Sequence, residues 1–273
     1  MHKVHANGAE IPALGFGTWT LRGKQCTELV AEALAAGYRH IDTATMYGNE
    51  AAVGAGLKAS GAAADTFITT KVWRTDLAPA DLIRSAEESR ARLGVDQIDL
   101  LLIHWPNDQI PLTPSIEALN EVHRRGVAGA IGVANFPTGL LAQASAASAV
   151  PLACDQVEYH PYLDQRKLLA ACRTAGMALV SYCPLYRGGR LFGEPAVTGP
   201  AERLGKSPAQ IVLRWQVQQA GVVAIPRTTK KARLAENLAV FDFALSEPEM
   251  AAISALGRNN SRLVDYDFTP GWD

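Results

Sequence analysis

The sequence predicts an α/β protein folded as a (β/α)₈ TIM barrel, with an N-terminal β-hairpin and additional helices. Short apolar runs alternate with longer segments of helical periodicity along the chain. This alternation is typical of parallel strands joined by crossover helices. We count eight such units, and no linker rich in Pro, Gly or Ser divides them. Residues 1–273 are therefore expected to form a single domain, since barrels of about 250 residues routinely do.

The predicted barrel strands are the short apolar runs at 14–17, 38–41, 67–70, 98–103, 130–133, 153–155, 178–181 and 222–225. Helical segments between them include 24–36, 80–93, 114–124, 166–175 and 208–219. Pro79 favours a helix start, because the first turn leaves its N–H groups unpaired. Residues 3–11 contain an Asn7-Gly8 pair that predicts a type I′ hairpin turn. Residues 258–273, which we call the tail, have loop-like composition and are expected to cover a site or to fray.

Composition narrows the possible partners. The chain is 48% hydrophobic and 19% charged, as is usual for globular proteins. A net charge of −1 gives no broad basic field, so neither nucleic acid nor a membrane is expected as a partner. No leader peptide is expected, and no apolar run approaches the roughly 18 residues of a membrane span. Cys26, Cys154, Cys172 and Cys183 show no paired spacing, so we expect isolated buried thiols and a cytoplasmic protein.

Polar residues at the ends of the apolar runs are the candidates for chemistry, because barrel active sites lie at the carboxyl ends of the strands. Three consecutive runs end in Asp42, Lys71 and His104. Singly, these residues have ordinary explanations: a helix cap, a solvated charge and a hydrogen-bonded structural histidine. Together on neighbouring strands they predict a catalytic group. The later runs end in Asn135, Gln156, Tyr182 and the pair Pro226-Arg227.

Tyr47 lies five residues beyond Asp42, on the loop after the second strand. Asn49 or the following turn is expected to open a helix there. A neighbouring Lys71 ammonium would stabilise the Tyr47 phenolate, so we expect the pKa of Tyr47 to fall below about 10. Such a phenol can donate a proton near neutral pH.

The chain resembles the aldo-keto reductase superfamily over nearly its whole length. The matching segments, in chain order, are NGAEIPALGFGTW, GYRHIDTATMYGNE, FITTKVW, DQIDLLLIHWP, IGVANF, DQVEYHPY, SYCPL and IPRTTKKARLAENLAVFDF. The chain is most similar to the bacterial members that include the 2,5-diketogluconate reductases, since the loops after the fourth and seventh strands are short.

The resemblance implies NADPH-dependent reduction of aldehydes or ketones to alcohols with broad specificity. The implied catalytic residues are Asp42, Tyr47, Lys71 and His104. Tyr47 would protonate the carbonyl oxygen and Lys71 would adjust its pKa. Asp42 would hold Lys71, and His104 would orient the carbonyl. These roles agree with the residue types, since hydride transfer builds negative charge on the oxygen that a donor stabilises.

The resemblance also implies a cofactor site, with NADPH preferred and NADH a weaker alternative. Asn135 and Gln156 match positions that bind the nicotinamide amide, and Tyr182 matches the stacking aromatic. Ala134 stands where the family usually has Ser, so one cofactor hydrogen bond is expected to be missing or to be made by water. Arg227 replaces the commoner Lys. The full expected set is Gly17, Thr18, Asp42, Asn135, Gln156, Tyr182, Pro184, Leu185, Ile225, Pro226, Arg227, Thr228, Arg233, Glu236 and Asn237.

Arginines and a hydroxyl at the adenosine end would favour a 2′-phosphate. A solvated basic start to the last helix is the ordinary alternative. No G-x-G-x-x-G fingerprint precedes a helix, so Rossmann-type binding is not expected.

The expected substrate pocket is aromatic and suits a small carbonyl compound. Its residues are Trp19, Tyr47, Trp73, His104 and Trp105, whereas Trp272 in the tail is expected to serve packing. A monomer is expected. Two alternatives remain open: a cofactor-binding regulatory protein of the same fold, and a barrel hydrolase with His104, His160 and Asp42 as metal ligands. The second has little support, because the chain lacks closely spaced histidine pairs.

Overall fold

A computed structural model of the chain describes residues 2–273. Eight parallel strands form one sheet in strict sequence order. They are β3 (Phe16–Gly17), β4 (His40–Asp42), β5 (Phe67–Val72), β6 (Ile98–Ile103), β7 (Ala128–Ala134), β8 (Cys154–Glu158), β9 (Ala178–Tyr182) and β10 (Val222–Ala224). This arrangement confirms the predicted (β/α)₈ barrel.

The sheet closes between its first and last strands. A parallel bridge joins Leu14 to Ala224. Around it, the Gly15 N–H donates to the Ala224 carbonyl at 2.8 Å, and the Ala224 N–H donates to the Ala13 carbonyl at 2.9 Å. The Gly17 N–H donates to Pro226 at 3.0 Å. Closure removes the exposed edges of the sheet and fixes the strand ends around one mouth.

The described residues form ten α-helices. They are α1 (Gly23–Ala36), α2 (Glu50–Ser60), α3 (Pro79–Leu93), α4 (Leu112–Arg124), α5 (Thr138–Ala147), α6 (Arg166–Thr174), α7 (Pro195–Leu204), α8 (Pro208–Val217), α9 (Ala232–Leu238) and α10 (Glu247–Ser254). Helix α3 shows why the sequence signals worked: Pro79 opens it and Gly94, with a φ of 67°, ends it. None of the helices is long and apolar enough to cross a membrane.

The strands differ from the predicted runs in length. Strand β5 extends to Val72, β8 to Glu158 and β9 to Tyr182, while β4 begins only at His40. Asp42, Lys71, Gln156 and Tyr182 therefore belong to strands, rather than following them as predicted. The apolar runs underestimated the lengths of β5, β8 and β9, because a strand continues through polar residues when their side chains find hydrogen-bond partners inside the barrel.

The predicted hairpin is present as β1 (Lys3–Ala6) and β2 (Ala9–Pro12). Asn7 and Gly8 have φ values of 44° and 88°, as a type I′ turn requires. The Asn7 Nδ2 donates to the Leu152 carbonyl at 2.7 Å and to the Ala175 carbonyl at 3.0 Å. The turn is thereby fastened to the segments before β8 and β9.

We predict that Asn7→Ala lowers the free energy of unfolding by about 2 to 3 kcal/mol, through left-handed backbone strain and two lost hydrogen bonds. Asn7→Gly keeps the permitted backbone and loses only the hydrogen bonds, so its loss should be about half as large. Urea unfolding of both variants measures this. Wild-type stability of Asn7→Ala would show that the turn does not fasten the hairpin.

Candidate active site

A buried ion pair lies at the floor of the barrel mouth. The Lys71 Nζ donates to the Asp42 Oδ1 at 2.6 Å and to the Thr43 carbonyl at 2.8 Å. Lys71 is 0% exposed and Asp42 2%. The second oxygen of Asp42, Oδ2, accepts from Gln156 Nε2 at 2.8 Å. Strands β4, β5 and β8 therefore meet at one carboxylate, and its two oxygens are both used.

Tyr47 lies directly over this pair, on a 3₁₀ turn at Thr45–Tyr47. The Thr45 Oγ1 donates to the Lys71 carbonyl at 3.0 Å, which ties the turn to β5. The Lys71 Nζ is 5.3 Å from the centre of the Tyr47 ring. Asn49 anchors the loop that follows, since its Nδ2 donates to the Thr18 carbonyl at 3.0 Å.

His104 forms the adjacent wall, as the residue following β6. Its ring contacts Tyr47 edge-on, with ring centres 5.6 Å apart. Its carbonyl accepts from Asn135 Nδ2 at 2.9 Å. The buried His104 Nδ1 has no hydrogen-bond partner among residues 2–273. The structure thus brings Asp42, Tyr47, Lys71 and His104 together.

Two amides and a phenol continue this network. The Tyr182 hydroxyl donates to the Asn135 Oδ1 at 2.8 Å. Asn135 adopts a φ of 64°, a left-handed conformation that asparagine tolerates better than most residues. With Gln156 held by Asp42, each amide keeps hydrogen-bonding capacity for a ligand: a second N–H on Asn135 and the Oε1 of Gln156.

The expected lowering of the Tyr47 pKa is wrong for this structure. Burial, followed by the negative charge of Asp42, raises the pKa of Tyr47 well above its ordinary value of 10.0. The Lys71 charge does not offset this effect, since it is matched by the Asp42 carboxylate at 2.6 Å. Tyr47 is therefore a neutral phenol that retains its proton at physiological pH.

Burial also affects the two basic groups. It lowers the pKa of Lys71 from its ordinary 10.5, and the Asp42 charge opposes that shift. Burial and then the Lys71 charge lower the pKa of His104 well below 6.5. His104 is thus a neutral imidazole, which can donate one hydrogen bond and accept another.

Asp42, Tyr47 and His104 line a cleft of about 1090 Å³, and Lys71 lies buried beneath its floor. Fourteen of the fifteen expected cofactor residues line it: Gly17, Asp42, Asn135, Gln156, Tyr182, Pro184, Leu185, Ile225, Pro226, Arg227, Thr228, Arg233, Glu236 and Asn237. Thr18 does not. It is fully buried, and its Oγ1 donates to the Asp42 carbonyl at 2.9 Å, so it supports the floor from behind.

The far end of the cleft is basic. Arg227 and Arg233 are exposed there. The Arg227 Nε donates to the Trp19 carbonyl at 3.2 Å, which joins the segment after β10 to the loop after β3. Thr228 is buried, and its Oγ1 accepts from the Lys230 N–H at 3.0 Å, which shapes the turn before α9.

Aromatic residues surround the reacting end. Trp19, Tyr47, His104 and Trp105 line the cleft as expected. Trp73 does not, because Phe268 of the tail packs edge-on against it with ring centres 6.0 Å apart. It also packs against the His104 ring, with ring centres 5.2 Å apart. Trp73 is therefore a support for His104 rather than a pocket wall.

The tail covers the mouth, which was one of its two expected roles. Val264 and Tyr266 line the cleft, whereas Trp272 packs against Trp105 with ring centres 6.1 Å apart. Further lining residues had no sequence signal beyond the Gly188-Gly189 pair and the aromatic character of the tail. They are Thr20, Met46, Cys183, Arg187, Gly188, Gly189, Phe192, Ser207, Pro208, Ala209, Val264 and Tyr266.

The four cysteines differ in burial. Cys26, Cys154 and Cys172 are buried, but Cys183 is half-buried and faces the cleft, so the expectation of four buried thiols was wrong for one.

Within residues 2–273 there is no group of three His, Cys, Asp or Glu side chains arranged to hold a metal. The His160 Nε2 is instead 2.7 Å from a Glu158 oxygen.

Comparison with known proteins agrees with this geometry. The Aldo/keto reductase family profile matches residues 13–196 and 195–258. The chain belongs to the aldo/keto reductase family, which confirms the resemblance drawn from the sequence motifs.

Individual relatives match nearly the whole chain. The methylglyoxal reductase DkgB of Yersinia pestis is 40% identical over 268 residues, covering 96% of this chain and 99% of that protein. A solved structure provisionally named a 2,5-diketo-D-gluconic acid reductase B has a TM-score of 0.97 and 46% identity, covering 100% of this chain and 98% of the other. An aldo-keto reductase of Bombyx mori, solved in complex with NADP, has a TM-score of 0.89 and 32% identity over 96% and 94%.

We predict that stability falls as the pH drops below about 6.5, because two histidines are held neutral. Burial lowers the pKa of His40 to about 4, and burial with the Lys71 charge lowers that of His104 well below its ordinary value. The unfolded chain takes up these protons first, so stability is complete above the unfolded pKa and decreases below it. Each histidine should contribute a slope of about 1.4 kcal/mol per pH unit.

Urea unfolding at a series of pH values measures the slope. His40→Asn, which lies outside the cleft, should lower the slope by about 1.4 kcal/mol per pH unit, since one proton-binding group is lost. The difference between the two proteins is the measure, because burial raises the pKa of Asp155 and this carboxyl adds an opposite slope to both curves. Equal slopes in the wild type and His40→Asn contradict the neutral state of His40.

Proposed function

We propose that this protein, acting as one domain over residues 1–273, reduces aldehydes or ketones to alcohols with NADPH. The observation that carries the proposal is the buried Asp42–Lys71 pair directly beneath the Tyr47 phenol in an aromatic cleft. The buried ion pair needs neither a phenol nor an imidazole above it for its own stability, whereas carbonyl reduction needs both groups. NADPH, when bound, supplies the hydride that adds to the carbonyl carbon.

The residues of the chain orient the carbonyl oxygen and supply its proton. As negative charge develops on the carbonyl oxygen, Tyr47 transfers its phenolic proton to that atom. His104, kept neutral by burial, donates a hydrogen bond that orients the carbonyl. Lys71 stabilises the phenolate that Tyr47 becomes, and Asp42 keeps the Lys71 ammonium in position. Donors that are already in place stabilise the transition state more than the ground state.

Tyr47 needs a high pKa at rest and a lower one during the reaction. The raised pKa keeps the donor protonated before substrate arrives. Developing negative charge on the substrate oxygen then makes proton transfer favourable, and the Lys71 ammonium lies 5.3 Å from the ring that acquires the charge.

The amides and the basic end of the cleft suit a nicotinamide dinucleotide. The remaining N–H of Asn135 and the Oε1 of Gln156 complement a carboxamide, which offers one acceptor and two donors. Tyr182, held by Asn135 at 2.8 Å, would stack on the ring. Arg233, Arg227 and the Thr228 hydroxyl would bind a 2′-phosphate and favour NADPH, with NADH a weaker alternative.

The substrate is proposed to be a small carbonyl compound, accepted with broad specificity by a monomer. Its pocket is the aromatic end formed by Trp19, Tyr47, His104 and Trp105. The relative named methylglyoxal reductase and the solved protein provisionally named a diketogluconic acid reductase both support a dicarbonyl as the first substrate to test. The Bombyx mori structure with NADP supports the choice of cofactor.

We predict that Tyr47→Phe lowers kcat by about a hundredfold to ten-thousandfold, because it removes the general acid. NADPH affinity should stay within about twofold, since the phenol is not assigned to cofactor binding. Tyr38→Phe, at a buried tyrosine outside the cleft, is the matched control and should retain kcat. Near wild-type turnover of Tyr47→Phe contradicts the assigned role. Absence of turnover in the wild type, with NADPH bound, favours the regulatory alternative.

We also predict that Arg233→Ala raises KM for NADPH by about tenfold to a hundredfold, as expected for one lost charge-assisted contact. KM for NADH should change by less than about twofold, because NADH lacks the 2′-phosphate. Steady-state kinetics with each cofactor at saturating substrate measure both values. An equal loss with the two cofactors would place Arg233 elsewhere than at the 2′-phosphate.

A further inference from the structure

Most of the tail has no regular structure, although it forms part of the mouth. Its last residues, 262–273, contain neither helix nor strand. Nevertheless Val264 and Tyr266 line the cleft, and Tyr266 is 44% exposed. Terminal segments fray unless something holds them, so the shape of this wall depends on its anchors.

One anchor is a buried carboxylate that none of the proposed catalytic steps uses. Glu158, the last residue of β8, is 0% exposed. Its Oε1 accepts from the Leu263 N–H at 2.6 Å and its Oε2 accepts from the Val264 N–H at 2.8 Å. The His160 Nε2 lies 2.7 Å from the same Oε1. Hydrogen bonds to a carboxylate are roughly twice as strong as neutral ones.

The position of Glu158 on β8 links this anchor to the reacting groups. Residues two apart on a strand point to the same side. Gln156 therefore shares a side with Glu158, and Gln156 is the residue that holds the Asp42 Oδ2 at 2.8 Å. One rigid strand thus fixes both the floor of the site and the segment that covers it.

Further anchors act on residues beyond Tyr266. Phe268 packs edge-on against Trp105 with ring centres 5.6 Å apart. The carboxylate of Asp273 accepts from the Thr138 N–H at 2.9 Å and from its Oγ1 at 2.6 Å. These contacts hold the end of the tail, whereas the Glu158 bonds hold the backbone amides of residues 263 and 264, three and two positions before Tyr266.

We propose that Glu158 is a positioning residue for substrate selection: it clamps residues 263 and 264 so that Val264 and Tyr266 close one side of the pocket. This inference rests on the proposed carbonyl reduction. Wide carbonyl compounds that reach Tyr266 depend on the clamp. A minimal dicarbonyl, bound between Tyr47 and His104, does not.

The test compares Glu158→Gln with the wild-type protein. The amide keeps the shape but replaces one acceptor oxygen by an NH₂ group facing a backbone N–H. Hydrogen exchange at residues 263 and 264 should accelerate by at least about tenfold, as expected for losing about 1.4 kcal/mol of local hydrogen bonding. KM for 4-nitrobenzaldehyde should rise by about tenfold on the same grounds, with kcat and the methylglyoxal KM within about twofold.

Glu249→Gln is the matched control. This carboxylate on α10 also accepts a backbone N–H, that of Ser246 at 2.8 Å, but it does not line the cleft. It should leave both KM values and the exchange of residues 263 and 264 unchanged. A second variant, Leu263→Pro, removes the donor on the half-buried tail instead of the buried acceptor. It should likewise raise KM for 4-nitrobenzaldehyde and leave KM for methylglyoxal unchanged, even if Glu158→Gln fails to fold.

A double-mutant cycle with Tyr266→Ala separates positioning from a general structural role. If Glu158 acts by placing Tyr266, then Glu158→Gln should add little to the nitrobenzaldehyde KM once Tyr266 is truncated. Unchanged hydrogen exchange at 263 and 264, equal KM changes for both substrates, or full additivity with Tyr266→Ala would each overturn the proposal. The exchange measurement needs no turnover, so it tests the clamp even if the proposed reduction is wrong.

Discussion

The rest of the site depends on the buried pair between Lys71 and Asp42. Removing two charges from water is costly, and the attraction between them compensates only when the remaining donors and acceptors are also satisfied. Here Lys71 donates to both Asp42 and the Thr43 carbonyl, and Gln156 donates a hydrogen bond to the second oxygen of Asp42. The pair is therefore stable in one geometry, and Tyr47 is held above it by the Thr45 bond to Lys71.

That geometry requires a closed barrel. Asp42 lies on β4, whose neighbours in the sheet are β3 and β5, whereas Gln156 lies on β8. The bond between them joins residues 114 positions apart across the interior of the barrel rather than along adjacent strands. Without the closure between Leu14 and Ala224, β4 and β8 would not face each other across a barrel interior. The fold and the chemistry are thus coupled through a single carboxylate.

Much of this arrangement was predictable from the sequence, because parallel strands in a barrel gather their carboxyl ends. The alternation of apolar runs with helical segments predicted the eight strands, and the polar residues at their ends predicted Asp42, Lys71 and His104. Features set by contacts between distant segments were not predictable. Trp73 was expected in the pocket, but Phe268 covers it, and the pattern of neither segment records that contact.

The pKa of Tyr47 was missed for a related reason. The sequence indicated a lysine beside the phenol and an aspartate that holds it, but not that the phenol itself would be buried above a pair whose charges balance at 2.6 Å. Burial then dominates the resting pKa. Likewise the glutamate in DQVEYHPY carries no sign that it binds the tail about 105 residues later, since hydrogen bonds to backbone amides leave no trace in the composition of the bound segment.

The most direct test of the account is the oxidation of reduced nicotinamide, followed by absorbance, with methylglyoxal, a nitrobenzaldehyde, a diketone and a keto-sugar in parallel. The account predicts turnover of at least one carbonyl with NADPH, at a kcat/KM well above that with NADH. Tight NADPH binding without turnover of any of the four would contradict it, because a neutral Tyr47 over a buried Lys71–Asp42 pair would then serve something other than proton donation to a carbonyl.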